Sequence, residues 1–326
     1  MDFKDIIGHD RQLLILQNAI ANRKLAHGYL FDGRGGIGKK QVAFALAKTM
    51  LCGKGVVACG LCPSCIQFDS ENHPDYLYIE PDGLSIKDKQ LEVFQSFVQL
   101  KPFESDTKVV VVDQADLMTV RAQNRILKVI EEPPGHVLIL FITENKEALL
   151  PTVLSRLQLL SFNRIPPSVM EKWLTQCAYD PESAHLAALY ADGSLGMAIK
   201  LLSSPDFYQM REAALSCLVA LHEGDTLKAF ERIDPYMADK VSTISFMDLM
   251  IIWYRDTLLL KIHPNSPLRF TKEVTETFLS LSKFVETQRV PFYIEIVEAA
   301  KKAIGANANH PLVAEAMLLK LTGGQI

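Results

Sequence analysis

Short apolar runs alternate with helix-period segments through the first half of the chain. Each run has the length and composition of a buried strand. The five predicted strands are Gly28 to Phe31, Tyr76 to Ile79, Val109 to Val112, Val137 to Thr143 and Leu159 to Phe162. Because parallel neighbours need crossover connections, this order predicts a mostly parallel sheet with helices on both faces. Ligands of such sheets bind at the carboxyl ends of the strands, so we expect the chemistry of this part of the chain there.

The pattern changes at Pro166-Pro167, after which helical periodicity continues to Leu321 and no convincing strand follows. The predicted fold class is therefore α/β followed by all-α. We divide the chain into an α/β domain, a small helical unit and a larger helical block, over residues 1–165, 166–204 and 205–326. The length agrees with this division, because 326 residues exceed what one hydrophobic core usually supports.

Charge and hydropathy argue against three classes of protein. The net charge of −4 disfavours a protein that holds nucleic acid by its own overall field, so any DNA contact is expected to be local or shared with partners. The longest apolar runs, such as Val137 to Ile142, are far shorter than the roughly 20 residues of a membrane-spanning helix. No apolar stretch follows a basic leader at Met1 to Asp5, as it does in a signal peptide. We therefore expect a cytoplasmic protein without membrane contact.

A glycine-rich loop, GRGGIGKK at residues 33–40, follows the first predicted strand and precedes a helical stretch from Gln41 to Leu51. This is the pattern of a phosphate-binding loop, in which backbone N–H groups and a helix N-terminus converge on an anion. Its candidate residues are Gly33, Gly36, Gly38 and Lys39, the last of which reaches the outer phosphates. A plain glycine-rich turn is the alternative. Lys40 departs from the pattern, because it offers a cation where a hydroxyl normally coordinates magnesium.

The strand from Val109 to Val112 ends in Asp113, and Gln114 follows. An acidic residue at this strand end assists magnesium in ATPases, although an acid that simply caps a helix is an equal alternative for Asp113 alone. In ATPases that hydrolyse ATP as motors, the residue after this acid is a glutamate, which polarises the attacking water. Gln114 cannot accept a proton as a carboxylate can, so a general-base contribution of roughly 10²–10⁴-fold is lost. These residues leave open whether the site binds a nucleotide, but we expect its metal-assisted hydrolysis of ATP to be compromised.

Four of the six cysteines, Cys52, Cys59, Cys62 and Cys65, fall in one short segment with the spacing C-x6-C-x2-C-x2-C. Four thiolates can surround zinc tetrahedrally at about 2.3 Å, and each C-x2-C step points two sulfurs at one ion. In a reducing cytoplasm, metal binding is a better interpretation than a disulfide. Four cysteine ligands leave no position for water, so the zinc site predicted over residues 52–65 is structural. A cluster of free buried thiols is the alternative.

Two further motifs make the chain resemble the clamp-loader branch of the AAA+ family. Residues 124–134, NRILKVIEEPP, are similar to the family's helix-ending LLK-x-LEEPP run, and residues 151–156, PTVLSR, are similar to its Ser-Arg-Cys motif. The four cysteines after the phosphate-loop helix add to the similarity. The resemblance covers nearly the whole chain. It implies an AAA+ parallel-sheet domain with a zinc-binding insertion, a small helical lid and a C-terminal helical collar.

The resemblance also implies roles for individual residues. Arg156 matches the arginine finger that the Ser-Arg motif supplies to ATP on a neighbouring subunit, and a surface arginine at a strand entrance is the alternative. Leu157 replaces the cysteine of the motif. Thr143 stands at the place of a polar sensor that orients a water or a phosphate. In the turn Gly193-Ser194-Leu195-Gly196, Gly196 replaces the arginine with which motor subunits sense their own nucleotide.

Three groups that ATP hydrolysis uses are therefore replaced in this chain, by Lys40, Gln114 and Gly196. The finger residue Arg156 is kept. The family resemblance then implies a subunit that hydrolyses no ATP of its own and donates a finger to a neighbour. It also implies assembly with the delta and gamma or tau subunits of the DNA polymerase III clamp loader, which acts on the sliding clamp and primer-template DNA. Two alternatives stay open. One is an ATP-hydrolysing motor of the gamma or tau type, and the other is a zinc-dependent nucleic-acid-binding module.

Overall fold

Five parallel strands form a single sheet in the computed structural model, which describes residues 2–203, 207–264 and 275–322. They are β1 (Gly28–Asp32), β2 (Tyr76–Ile79), β3 (Lys108–Val112), β4 (Val137–Thr143) and β5 (Gln158–Ser161). Their order across the sheet is β2-β3-β4-β1-β5, and every neighbouring pair is parallel. The predicted parallel sheet is confirmed, and each strand begins and ends within one residue of its predicted bounds.

The burial of the strands follows their apolar runs. Every residue of β3 and β4 is buried, which explains why these strands read as continuous hydrophobic runs rather than as alternating ones. The edge strands β2 and β5 are partly exposed. Because β3, β4 and β1 follow one another across the sheet, their carboxyl ends lie together at one edge of it.

Helices cover both faces of this sheet. Those of the α/β part are α1 (Asp10–Ala21), α2 (Lys39–Cys52), α3 (Pro63–Asp69), α4 (Asp88–Gln99), α5 (Val120–Glu131) and α6 (Pro151–Leu154). Nine further helices of the described residues follow β5 along the chain: α7 (Pro167–Gln176), α8 (Pro181–Tyr190), α9 (Leu195–Ser203), α10 (Phe207–Glu223), α11 (Thr226–Ile233), α12 (Lys240–Ile262), α13 (Glu276–Phe284), α14 (Val290–Gly305) and α15 (His310–Thr322). One hydrophobic core packs α1 and α2 against the sheet, and a second packs α4 and α5 against it. Within the described residues, the predicted change from α/β to all-α is confirmed.

The chain divides into two compact units, Met1–Ile199 and Lys200–Ile326. In the second unit, Trp253 and Tyr254 of α12 are among the largest fully buried side chains. The division into three segments remains a prediction, and its boundary at 204/205 lies outside the described residues. Among the helices of the described ranges, none is long and apolar enough to cross a membrane.

Asp75, which directly precedes β2, forms hydrogen bonds with the loop that precedes β3. Its buried carboxylate accepts the backbone N–H groups of Phe103, Glu104 and Ser105 at 2.7, 2.8 and 2.9 Å. Lys108 Nζ lies 4.0 Å from the same carboxylate. Burial by itself raises the pKa of Asp75, but the three N–H groups and the ammonium outweigh it and lower the pKa below its usual value. The ionised carboxylate therefore stabilises the end of the sheet that carries β2 and β3.

We expect Asp75→Asn to lower the free energy of unfolding by about 3 kcal/mol near neutral pH, because it removes a buried charge whose partners stay in place. The pKa of Asp75 is lower in the folded chain than in the unfolded chain. Its stabilisation is therefore present above the unfolded pKa of about 3.9 and is lost as pH falls from there through the folded pKa. Urea unfolding at several pH values measures both effects. Asp106→Asn, at an exposed position of the same loop, is the control, and an equal loss in both variants would contradict the anchoring role.

Candidate nucleotide site and cysteine cluster

A cavity of about 230 Å³ lies at the carboxyl edge of the sheet. Its described lining consists of Gly36, Gly38, Lys39, Lys40, Gln41, Asp113, Gln114, Ile142, Thr143 and Glu144. Gly33 lies directly beside the cavity, because its N–H donates to Thr143 O at 3.3 Å. The structure thus brings together all seven residues that the sequence predicts for a nucleotide site.

The loop between β1 and α2 has the backbone of a phosphate-binding loop. Gly36 and Gly38 have φ angles of +71° and +105°, left-handed conformations that favour glycine. Because α2 begins at Lys39, its unpaired N–H groups and the positive end of its dipole lie at the cavity. Lys39 Nζ donates to Gly33 O at 2.5 Å and to Arg34 O at 2.7 Å, and burial lowers the pKa of this ammonium. The lysine that the pattern assigns to the outer phosphates is therefore held by carbonyl groups of its own loop.

Lys40 lies between α2 and the end of β3. Its Nζ donates to Tyr78 OH at 2.5 Å and lies 3.5 Å from Asp113 Oδ2. Tyr78 OH in turn donates to Asp113 Oδ2 at 2.7 Å. Burial and the neighbouring Asp113 carboxylate raise the pKa of Tyr78 far above its usual value, so the hydroxyl stays protonated. The predicted metal ligand Asp113 is thus paired with a lysine, and Tyr78 is a site residue that the sequence did not predict.

Two further predicted positions, Gln114 and Thr143, border the same cavity. Gln114 has a left-handed φ of +49°, and its N–H donates to Asp113 Oδ1 at 2.9 Å while its side chain is exposed. Thr143 is fully buried, and its hydroxyl donates to Asp116 Oδ1 at 2.8 Å and accepts the N–H of Asn145 at 3.0 Å. The hydroxyl hydrogen of Thr143 is therefore committed to Asp116.

The turn before α9 packs directly on the phosphate loop. Gly196 N–H donates to Gly36 O at 2.9 Å, and a Cβ on Gly196 would lie only 3.3 Å from Gly36 Cα and O. Asp192, in the same turn, pairs with Arg34 of the loop and also with Arg164, at 2.6 Å. The Gly36 backbone therefore leaves little room for a side chain at position 196.

A second cavity, of about 180 Å³, also borders the phosphate loop. Its apolar lining comes from five separate parts of the chain and consists of Ile6, Ile7, Ile37, Ile165, Trp173, Leu195 and Ile199. Such a concave apolar surface beside polar groups is typical of a small-molecule site. The sequence did not predict these residues, because each of them also fits an ordinary core position.

Arg156 lies between α6 and β5 and is not among the described residues that line the larger cavity. Its Nη2 pairs with Glu131 Oε1 at 2.8 Å. Its Nη1 donates to Thr152 O at 2.9 Å and to Ser155 Oγ at 3.1 Å. The side chain is 36% exposed, whereas Leu157 is buried in the core of the sheet. The two motifs, residues 124–134 and 151–156, therefore meet in one surface ion pair.

The four clustered cysteines meet between the end of α2 and the start of α3. Their Sγ atoms all lie within 4.8 Å of one another, at distances of 3.6 Å (Cys52 to Cys59), 3.8 Å (Cys52 to Cys62) and 4.0 Å (Cys59 to Cys65). A tetrahedron of sulfurs at about 2.3 Å from zinc has edges of about 3.8 Å, so the cluster has the dimensions of a zinc site. The N–H groups of Leu61 and Cys62 lower the pKa of Cys59 to about 6 and favour its thiolate, whereas burial raises the pKa of Cys65 to about 12. The cluster can hold a metal ion and is compatible with zinc.

Comparison with known proteins identifies the family. The chain matches the family described as DNA polymerase III, delta subunit, over residues 8–166. It is 31% identical to DNA polymerase III subunit delta' of Bacillus subtilis (strain 168) over 318 residues, which are 96% of each chain. The chain belongs to the DNA polymerase III subunit delta' family.

The chain is also similar to a tau subunit. DNA polymerase III subunit tau of Bacillus subtilis (strain 168) is 26% identical over 95% of this chain, and the match covers 59% of that longer protein. Among solved structures, a DNA polymerase III gamma subunit-related protein of Thermotoga maritima has 17% identity and a TM-score of 0.48, with 96% of this chain and 99% of the other covered. This member of the delta' family is thus similar to both delta' and tau subunits.

Proposed function

We propose that this chain is the non-hydrolysing delta' subunit of a bacterial replicative clamp loader. In this role it assembles with delta and gamma or tau subunits, and the complex loads the sliding clamp on primer-template DNA. The identity to a delta' subunit along 96% of both chains supports the proposal. The net charge of −4 agrees with DNA contact that is shared with partners rather than made by this chain alone.

The position of Arg156 carries the proposal. The guanidinium is 36% exposed, and its ion pair with Glu131 lies at the surface. Such a pair is worth at most about 1 kcal/mol, so a phosphate group on a neighbouring subunit can compete for the arginine. A guanidinium presents a permanently charged fork that matches phosphate oxygens, and delivery from one subunit to the next couples hydrolysis to assembly. Arg156 is therefore proposed as an arginine finger that acts on the ATP of a neighbour.

The chain's own cavity, in contrast, lacks groups that ATP hydrolysis requires. Lys40 pairs with Asp113, Gln114 has no carboxylate to accept a proton, and the Gly196 backbone lies on the phosphate loop. Each feature removes one requirement of hydrolysis: the metal, the general base and the sensing arginine. These losses support a subunit that assists hydrolysis without performing it.

We assign the cysteine cluster to one structural zinc ion. All four ligands are thiolates, and a closed set of four leaves no position for a reacting water. The ion joins Cys52, the last residue of α2, to Cys65 within α3. Free thiolates persist in a reducing compartment, in keeping with a cytoplasmic location as part of the proposal.

We expect the isolated chain to show no magnesium-dependent ATPase above background, because the metal position and the base are both altered. Steady-state phosphate release by the purified wild-type chain measures this. Mixing the chain with delta and gamma or tau subunits is expected to produce an active loader. Turnover by the isolated chain at a motor's rate would instead support the alternative, an ATP-hydrolysing gamma or tau-type subunit. The observation that favours this alternative is the intact loop from Gly33 to Lys39.

A further inference from the structure

The charges around Asp113 differ from those of a magnesium site. In phosphate-loop ATPases, a hydroxyl after the loop lysine and an acidic residue after a neighbouring strand hold the metal. Here Lys40 takes the place of the hydroxyl, and its Nζ lies 3.5 Å from Asp113 Oδ2 and 2.5 Å from Tyr78 OH. The Lys40 ammonium therefore already lies beside the Asp113 carboxylate, which a magnesium ion would need as a ligand.

Both oxygens of Asp113 are engaged within the chain. Oδ1 accepts the N–H of Gln114 at 2.9 Å, and Oδ2 accepts Tyr78 OH at 2.7 Å as well as facing Lys40. Magnesium demands near-ideal octahedral geometry at about 2.0–2.1 Å and gives up its waters reluctantly. A dication at this carboxylate would have to displace the Lys40 ammonium. The residues present therefore do not fit the metal that the fold implies.

Aromatic rings hold the Lys40 ammonium in this position. Its Nζ lies 4.5 Å from the centroid of the Tyr78 ring and 5.4 Å from that of the Phe44 ring. These two rings pack edge to face, with centroids 5.5 Å apart. A cation within about 6 Å of a ring face is stabilised by it. Lys40 also lines the cavity of about 230 Å³ beside the phosphate loop.

We propose that Lys40 is the resident cation of this site in place of magnesium, and that the site binds nucleoside polyphosphates without a divalent metal. The phosphates would meet the N–H groups at the start of α2, Lys39 and Lys40, and the apolar cavity lined by Ile6 and Trp173 would take the base. The inference rests on the proposed function for one point, that the chain hydrolyses no ATP. It deepens that function, because a nucleotide held without its metal is retained and not cleaved.

The test compares equilibrium binding of a fluorescent ATP analogue to the full chain in magnesium and in EDTA, at equal ionic strength. For the wild type we expect dissociation constants within about threefold of each other. Lys40→Thr restores a hydroxyl ligand and frees Asp113, so its binding is expected to be at least about tenfold tighter in magnesium than in EDTA. Lys89→Thr, at an exposed position of α4, is the matched control and is expected to bind like the wild type.

Three outcomes overturn the inference. The first is wild-type binding that is about tenfold or more tighter in magnesium, and the second is no wild-type binding in either buffer up to about 1 mM analogue. The third is a Lys40→Thr chain that is folded by circular dichroism and still binds equally with and without magnesium. The wild-type comparison decides the matter even where Lys40→Thr fails to fold. None of these outcomes changes the expected ATPase of the assembled loader, whose failure would count against the proposed function instead.

Discussion

Replacing Arg156 by alanine will lower the ATPase rate of a clamp loader reconstituted with this chain, without preventing its assembly. An arginine finger stabilises the charge that develops on the transferred phosphoryl group and is worth about 10³–10⁵-fold at the site it serves. The expected result is near-complete loss of hydrolysis at the neighbouring ATP site that the proposed finger serves, while the other sites keep their rates. Steady-state hydrolysis by the purified complex, with clamp and primed DNA present, measures the loss.

Two control variants test whether the effect belongs to the guanidinium. Arg156→Lys keeps the charge but not the planar fork, so we expect partial recovery at most. Arg121→Ala removes another exposed arginine, whose Nε lies 3.4 Å from Asp88 Oδ2, and is expected to leave the rate unchanged. Because the pair with Glu131 contributes at most about 1 kcal/mol, Arg156→Ala is expected to unfold close to the wild-type temperature. A complex that assembles with Arg156→Ala and hydrolyses ATP at the full rate would show that the finger assignment is wrong.

The sheet and most of the candidate site could be predicted from the sequence, because both are encoded locally. β3 and β4 are uninterrupted apolar runs that only a doubly covered sheet can bury. The phosphate loop lies within residues 33–40, and the four cysteines lie within residues 52–65. Parallel topology then places the strand ends together, so the association of Asp113 with the loop followed from the order of elements alone.

The contacts that alter the chemistry could not be predicted, because they join residues far apart in the chain. Tyr78 lies 38 residues from Lys40 and reaches it only because β2 pairs with β3. The hydrogen bond from Gly196 to Gly36 depends on how the turn before α9 packs, which no local pattern encodes. The pair between Glu131 and Arg156 depends on α5 ending beside α6. For Lys40 and Gly196 the sequence indicated a departure from the motif, and the structure shows which contact each residue makes instead.

Replacing Cys62 by serine is expected to abolish metal binding and to unfold the segment from the end of α2 through α3. Structural zinc sites bind with apparent free energies of about 10–16 kcal/mol in isolated zinc fingers, and that energy is folding energy. A serine hydroxyl does not replace a thiolate ligand. Because α2 begins at the phosphate loop and ends at Cys52, the loss is expected to fray this helix from its far end. Zinc content per chain and thermal unfolding of the purified protein measure the two effects.

The comparison with Cys177→Ser decides what the cluster is. Cys177 is an exposed thiol outside the cluster, so both variants lose one sulfur but only Cys62→Ser loses a ligand. If the cluster were four free thiols, the purified wild-type chain would contain no zinc. If it were a nucleic-acid-binding module, Cys62→Ser would also abolish salt-dependent DNA binding by the isolated chain. Lys54 is the only basic residue between the first and last ligands, too little charge to hold a phosphate backbone, so we expect stability to fall while DNA binding stays at background.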